Sequence, residues 1–240
     1  MHGFIDIHTH ILPGIDDGAK NLQEACRLVR MAWQDGTRTL FLTPHCWEER
    51  WNCSVQQIRE TFSQLQAQVA REMPDMQLYL GAEIRYGSSV PERLQQETLL
   101  AMNGSDFVLL EFSTQAVKSQ ILMAVMEVVR YGYTPIIAHA ERCECFHTVS
   151  DLVDEVRSLG GYIQINADSI MGVHGFAIKR FTHKLLKGQK VDFVASDGHD
   201  CKERPPLLQK CYLRVCKKFG EEYAARVFIQ NARCMARKGS

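Results

Sequence analysis

The sequence predicts an α/β chain built on a parallel sheet. Short apolar, β-branched runs alternate with longer amphipathic ones along nearly the whole length. Seven strands so interleaved with helices imply parallel pairing, because parallel neighbours need crossover connections. That leaves an open doubly wound sheet or a closed barrel. No glycine-rich phosphate loop follows the first strand, which argues against a dinucleotide-binding sheet.

The elements follow in order. Residues 4–7 form a first strand. Residues 21–34 form a helix with Leu22, Ala25, Cys26, Val29, Ala32 and Trp33 on one face and Gly36 as its stop. A second strand spans 38–43. A second helix spans 54–72, opened by Ser54-x-x-Gln57 as a capping box. A third strand, 76–80, leads to a short helix near Pro91. Strands at 106–111, 135–138, 162–166 and 191–195 alternate with helices at 117–131, 150–159 (Ser150 as cap) and 176–186. Helices at 206–219 and 221–237 close the chain, and residues 236–240 read as a frayed tail. Internal repeats, low-complexity segments and linkers are not visible, so residues 1–240 are expected to form one domain.

Composition narrows the function. Hydrophobic residues make up 45% of the 240, enough for a substantial core. Lys plus Arg equals Asp plus Glu at 28 each, which argues against non-specific nucleic-acid or membrane binding. A local basic patch around a substrate pocket stays compatible with that balance. The N-terminus reaches Asp6 before any useful apolar run, so no signal peptide is expected. The longest apolar-rich stretch, 121–129, contains Glu127 and falls short of a membrane span. A cytoplasmic protein is the expectation. The nine cysteines are odd in number and irregular in spacing, which fits reduced thiols rather than a disulfide framework. Cys143-x-Cys145 has no partner pair nearby and reads as an incidental loop pair rather than a zinc site.

The polar residues at the strand ends carry the chemistry. Strand one runs into Asp6-Ile7-His8-Thr9-His10; in an extended segment side chains at i and i+2 share a side, so His8 and His10 can reach one ion. Strands two to five end at His45, Glu83, Glu111 and His139, and strand seven at Asp197 and His199. In a parallel sheet these C-terminal ends face one way, where the active sites of such folds lie. Eight candidate ligands on six strand ends are too regular for chance. Imidazole and carboxylate without thiolate suit Mn, Fe or Zn. A catalytic zinc needs about three protein ligands, so this number points to two or three ions, which activate a water and clamp phosphate oxygens. His2, His147, His174 and His183 fall in termini, loops or helix faces and are not expected to be ligands.

These residues resemble one family. The run from Asp6 to His10 followed by Leu12-Pro13-Gly14-Ile15-Asp16-Asp17-Gly18 is similar to the opening of the bacterial capsule-cluster tyrosine phosphatases, members of the polymerase-and-histidinol-phosphatase (PHP) superfamily. Further matches are Thr43-Pro44-His45, Gly81-Ala82-Glu83-Ile84, Leu110-Glu111-Phe112, His139-Ala140-Glu141-Arg142, Gln164-Ile165-Asn166-Ala167, Ser196-Asp197-Gly198-His199 and Arg204-Pro205-Pro206. The resemblance covers nearly the whole chain. It implies a distorted (β/α)7 barrel of the PHP type with a three-metal site, most often manganese, at the C-terminal strand ends. It implies His8, His10, Asp17, His45, Glu83, Glu111, His139, Asp197 and His199 as ligands, with Asp16 adjacent to Asp17 and position alone not choosing. Arg142 and Arg204 would hold phosphate, a task suited to guanidinium. The implied substrate is phosphotyrosine on the tail of a bacterial tyrosine kinase controlling capsular or exopolysaccharide synthesis. Two segments depart from the family pattern: Cys46-Trp47-Glu48-Glu49-Arg50-Trp51 and Cys143-Glu144-Cys145-Phe146. Both are expected to rim the pocket and to bear on substrate preference.

The expected chemistry is in-line attack on phosphorus by a metal-activated hydroxide, with the arginines, Asp197 and His199 at the reacting end. Three other readings are open. Cys53-x5-Arg59 has the spacing of a cysteine-phosphatase loop but lacks the glycines that would wrap phosphate. A related scaffold could act on a small phosphomonoester such as histidinol phosphate, or on an amide or nucleic-acid bond. A non-catalytic metal-stabilised module is the third. Oligomeric state is not encoded in any motif.

Overall fold

In the computed structural model, residues 3–47, 50–51 and 53–236 are described. His2, Glu48, Glu49 and tail residues 237–240 lie outside them. The strands are β1 (Phe4–Thr9), β2 (Thr37–Leu42), β3 (His45–Cys46), β4 (Gln77–Leu80), β5 (Glu83–Arg85), β6 (Phe107–Glu111), β7 (Thr134–Ile137), β8 (Tyr162–Asn166) and β9 (Phe193–Ala195). All paired strands run parallel. The helices are α1 (Leu22–Gln34), α2 (Val55–Glu72), α3 (Val90–Gln95), α4 (Lys118–Arg130), α5 (Glu144–Thr148), α6 (Leu152–Ser158), α7 (Ala167–Met171), α8 (Phe176–Lys187), α9 (Gln209–Phe219), α10 (Glu221–Ala225) and α11 (Arg233–Ala236).

Two of the seven expected strands are broken in two. The second is interrupted at Thr43-Pro44 and resumes as β3; the third is interrupted at Gly81-Ala82 and resumes as β5. Proline cannot donate to a ladder, and a side chain at Gly81 would come within 2.6 Å of Met102 Sδ. The breaks split the sheet into β1-β2-β4 and β3-β5-β6-β7-β8-β9. The ring is nonetheless joined at both junctions. Gly81 N–H donates to Leu42 O and Glu83 N–H to Pro44 O. At the far edge Asp197 N–H donates to His8 O (3.0 Å), and His10 N–H to Gly198 O (2.8 Å). The sheet therefore curls until its last strand meets its first, a distorted barrel.

Packing follows the sequence periodicities. Ile5, Ile7, Phe41, Leu109, Ile136 and Phe193, from five different strands, form one apolar cluster that Met102, Ala232 and Met235 extend. Two larger clusters join the sheet to its helices. The α1 stripe buries Ala25, Cys26, Leu28, Val29 and Ala32, with Asn21 accepting from Glu24 N–H as N-cap. Ser54 and Gln57 form the expected capping box of α2. No helix of the described residues is long and apolar enough to cross a membrane.

Four local expectations change. Ser150 does not cap α6, which begins after Asp151 without a side-chain cap. Cys145 lies within the short helix α5, not in a loop. The terminal helix is interrupted by a π-helical turn, Arg226–Gln230, between α10 and α11. Helix α9 starts at Gln209, later than the expected 206, because Asp35 at the end of α1 accepts from both Leu208 N–H (2.6 Å) and Gln209 N–H (2.8 Å). A carboxylate at a helix N-terminus satisfies orphan donors and opposes the macrodipole. Asp35→Ala is therefore expected to lower unfolding free energy by about 1–2 kcal/mol, read as a lower urea midpoint at unchanged slope.

Candidate metal centre

The breaks at Pro44 and Gly81 place His45 and Glu83 where the other strand ends converge. There, four overlapping groups of donor atoms each lie close enough for one cation: His10, Asp17, His45 and His199; His8, His10 and Asp197; His8, Glu83 and His139; His45, Glu83 and Glu111. Together they comprise the same nine residues named from the sequence. At the centre His8 Nε2 and His10 Nε2 are 3.1 Å apart. Glu83 Oε2 is 3.3 and 3.2 Å from them, and Asp197 Oδ1 3.5 Å from each. His139 Nε2 meets Glu83 Oε1 at 2.7 Å.

The outer partners orient these rings. Gln164 Oε1 is 3.1 Å from His8 Nδ1, Asp16 Oδ2 is 2.7 Å from His10 Nδ1, and the Asp197 carbonyl is 2.8 Å from His199 Nδ1. An acceptor at each Nδ1 keeps the proton there and turns the Nε2 lone pair inward, as metal-binding imidazoles require. The two adjacent aspartates are placed differently. Asp16 is occupied by His10 and by the Gly18 and His45 amides. Asp17 Oδ1 instead faces His199 Nε2 (3.5 Å) and His45 Nε2 (3.6 Å). Gly18 permits the tight return, since a side chain there would collide with His10 O at 1.7 Å.

The donor set fits a divalent cluster. Glu111 Oε2 and His199 Nε2 are buried without hydrogen-bond partners, a costly arrangement unless a cation satisfies them. Burial alone would raise the Glu83 carboxyl, but the charge of His8 and hydrogen bonds from His10, His139 and His45 hold it far below the ordinary range. Burial likewise opposes ionisation of Asp197, and His8, Arg142 and Arg204 overcome it. Glu111 is pushed up, by burial first and the Glu83 charge second. Four carboxylates converging here demand positive charge.

The two arginines meet this centre through one atom. Arg142 follows β7, and its Nη1 is 3.1 Å from Asp197 Oδ2; Arg204 Nη2, from the loop after β9, is 2.6 Å from the same oxygen. Asn166 Nδ2 donates to it as well. Sequence reading gave no role to several supporting residues. Gln164 also accepts from His139 N–H and donates to Asn166. His174, assigned no function, bonds Asp168 (2.7 Å) and is 3.2 Å from Arg142 Nη2. Only the motif Gln164-Ile165-Asn166 had flagged part of this shell. His147 bonds the Glu141 carbonyl and His183 lies in α8, both away from the cluster. Ser54 to Ile58 form the start of α2, so Cys53 and Arg59 do not frame an anion loop.

The family described as capsular polysaccharide synthesis, CpsB/CapC, matches residues 4–237. The chain belongs to the CpsB/CapC family. The tyrosine-protein phosphatase CpsB of Streptococcus agalactiae serotype V is 34% identical over 233 residues, 95% of this chain and 96% of that protein. A solved structure of the metal-dependent tyrosine phosphatases YwqE from Bacillus subtilis and CpsB from Streptococcus pneumoniae superimposes with TM-score 0.90 at 31% identity, covering 98% of this chain and 95% of that one. Histidinol phosphate phosphatase of Lactococcus lactis shares the fold at TM-score 0.58 and 13% identity, covering 91% of this chain and 93% of that one.

Asp16 and Gln164 carry a direct prediction. Asp16→Ala or Gln164→Ala should weaken retention of divalent metal by about 10–100-fold, measured by competition with a chelating dye, while circular dichroism stays unchanged.

Proposed function

We propose that this CpsB/CapC-family chain is a metal-dependent protein-tyrosine phosphatase acting as one catalytic domain in the cytoplasm. Its substrate would be phosphotyrosine on the tail of a bacterial tyrosine kinase that regulates capsular or exopolysaccharide synthesis. The observation that carries the reading is Asp197: Oδ1 faces the His8–His10 pair and Oδ2 receives Arg142 and Arg204. A cation-binding centre thus abuts two guanidinium groups, the pairing a phosphomonoester needs.

The nine residues would hold a divalent cluster of three ions, manganese first among Mn, Fe and Zn. When bound, such ions supply a nucleophile from water at neutral pH and neutralise phosphate oxygens. Three divalent ions against four carboxylates leave a net positive centre for a phosphate dianion. Arg142 and Arg204 orient the phosphate and offset charge on its equatorial oxygens. Asp168, which accepts from His174 Nε2–H, faces Arg142 Nη2 at 4.0 Å. A tyrosine phenolate, whose conjugate acid has a pKa near 10, leaves without a strong general acid. Relatives named tyrosine phosphatases along nearly the whole chain support that substrate over histidinol phosphate.

Glu111→Ala and His139→Ala should each abolish phosphotyrosine-peptide turnover in a folded protein; activity retained in either variant counts against this centre. Arg142→Ala should lower kcat/KM by about a hundredfold or more. Chelation should remove activity and thiol alkylation spare it. Elemental analysis beside assays on phosphotyrosine, phosphoserine and histidinol phosphate decides metal and substrate together.

A further inference from the structure

A cavity of about 310 Å³ opens directly onto the metal centre. Its inner end is formed by Glu111, His139 and Arg142. Trp47, Phe112 and Arg85 line it as well, with Ile137 and Ala138 adding apolar surface and Ser113, Thr114 and Cys143 completing the lining. Arg85 is fixed from two directions: its guanidinium lies over the Trp47 ring at 5.0 Å, and Nη1 is 3.6 Å from Glu111 Oε1. Trp47 is anchored by its backbone, since its carbonyl accepts from Arg50 N–H and Trp51 N–H. Two aromatic side chains, two aliphatic ones and a planar cation therefore surround a space whose floor is the phosphate-binding end. Neither Arg85 nor Trp47 offers a cation donor, and Arg85 touches the centre only through Glu111.

We propose that Trp47, with Arg85 stacked on it, is the specificity-determining wall that seats the aromatic ring of an aryl phosphomonoester. The inference rests on the phosphatase reading above and adds which residues choose the leaving group. A flat ring entering this space can lie against Trp47 or Phe112 while its phosphate reaches Arg142. Aromatic faces and guanidinium planes favour such a ring over an aliphatic phosphoester of the same charge. Arg85 and Phe112 also border a second hollow of about 370 Å³ that runs to Met123 and Glu127. The ring pocket thus continues into a groove able to take the flanking residues of a peptide, which a small metabolite would leave empty.

The test compares the metal-loaded protein with Trp47→Ala and Trp47→Phe. Trp47→Ala should raise KM for a phosphotyrosine peptide about tenfold, the size of one lost aromatic contact, with kcat little changed. Inhibition by inorganic phosphate, which reports on Arg142, Arg204 and the centre alone, should stay the same. Trp47→Phe should restore most of the affinity. An unchanged KM in Trp47→Ala overturns the proposal, and so does an equal weakening of peptide and phosphate. Calorimetric binding of phenylphosphonate to each variant gives the same discrimination without turnover. Failure of the unaltered protein to hydrolyse phosphotyrosine would instead sink the parent reading.

Discussion

The short ladder between β1 and the end of β9 is the constraint on which the site depends. His8 O accepts from Asp197 N–H, Gly198 O accepts from His10 N–H, and Asp6 Oδ1 accepts from Ser196 N–H at 3.0 Å. These bonds tie residues nearly two hundred positions apart, so four of the nine donors, His8, His10, Asp197 and His199, exist as a group only because the barrel closes. Asp6 takes no place among the cation groups. It is fully buried, and burial raises its carboxyl to about 6. Such burial costs free energy unless hydrogen bonds offset it; here the bonds to Oδ1 fasten the seam, and Oδ2 is buried without a partner. Gly198 serves the same closure: a side chain would approach Pro206 within 2.7 Å.

Local strain lies beside that seam. His139 at φ 30° and Asp197 at φ 55° occupy the left-handed region, which non-glycine residues seldom adopt. Both are candidate ligands at the ends of strands. Each is over-determined by its surroundings. His139 N–H bonds Gln164 Oε1, and Asp197 is held through its amide, its carbonyl and both carboxylate oxygens. Backbone held in sparsely populated conformations persists where the surrounding bonds outweigh its cost, and such positions cluster at functional sites. The chain Gln164–Asn166–Asp197 carries that restraint from β8 to the end of β9.

How much of this was legible before the structure depends on the kind of signal. Strand and helix positions follow from periodicity, and eight of the nine donors follow from polar residues at the ends of apolar runs, whereas Asp17 entered only through the family resemblance. Residues whose role comes only from tertiary position were not legible. Asp35 had no role in the pattern, lying between the end of a helix and its Gly36 stop, yet it caps another helix 173 residues away. His174 looked like a loop residue, yet it holds Asp168 beside Arg142. The different surroundings of Asp16 and Asp17 could be seen only from the positions of His10 and His199, because both aspartates suit the pattern equally. The breaks at Pro44 and Gly81 were visible as residues, but not as the devices that turn two strands into four and aim His45 and Glu83 at the centre.

The disposition of the thiols bears on which phosphatase chemistry the fold can support. Thiolate nucleophiles need an electropositive, accessible setting that lowers their pKa. Cys46, the residue after His45, is pushed up to about 12 by burial. Cys145 is likewise raised to about 12 by burial and by the neighbouring Cys143 thiol. The guanidinium groups that could have activated a cysteine are directed at Asp197 instead, and the buried Nε of Arg204 has no protein acceptor. The positive groups are therefore arranged for an incoming anion, and the lone pairs for a cation. Asp197 spans the two with its two oxygens, so that binding on one side adjusts the charge felt on the other.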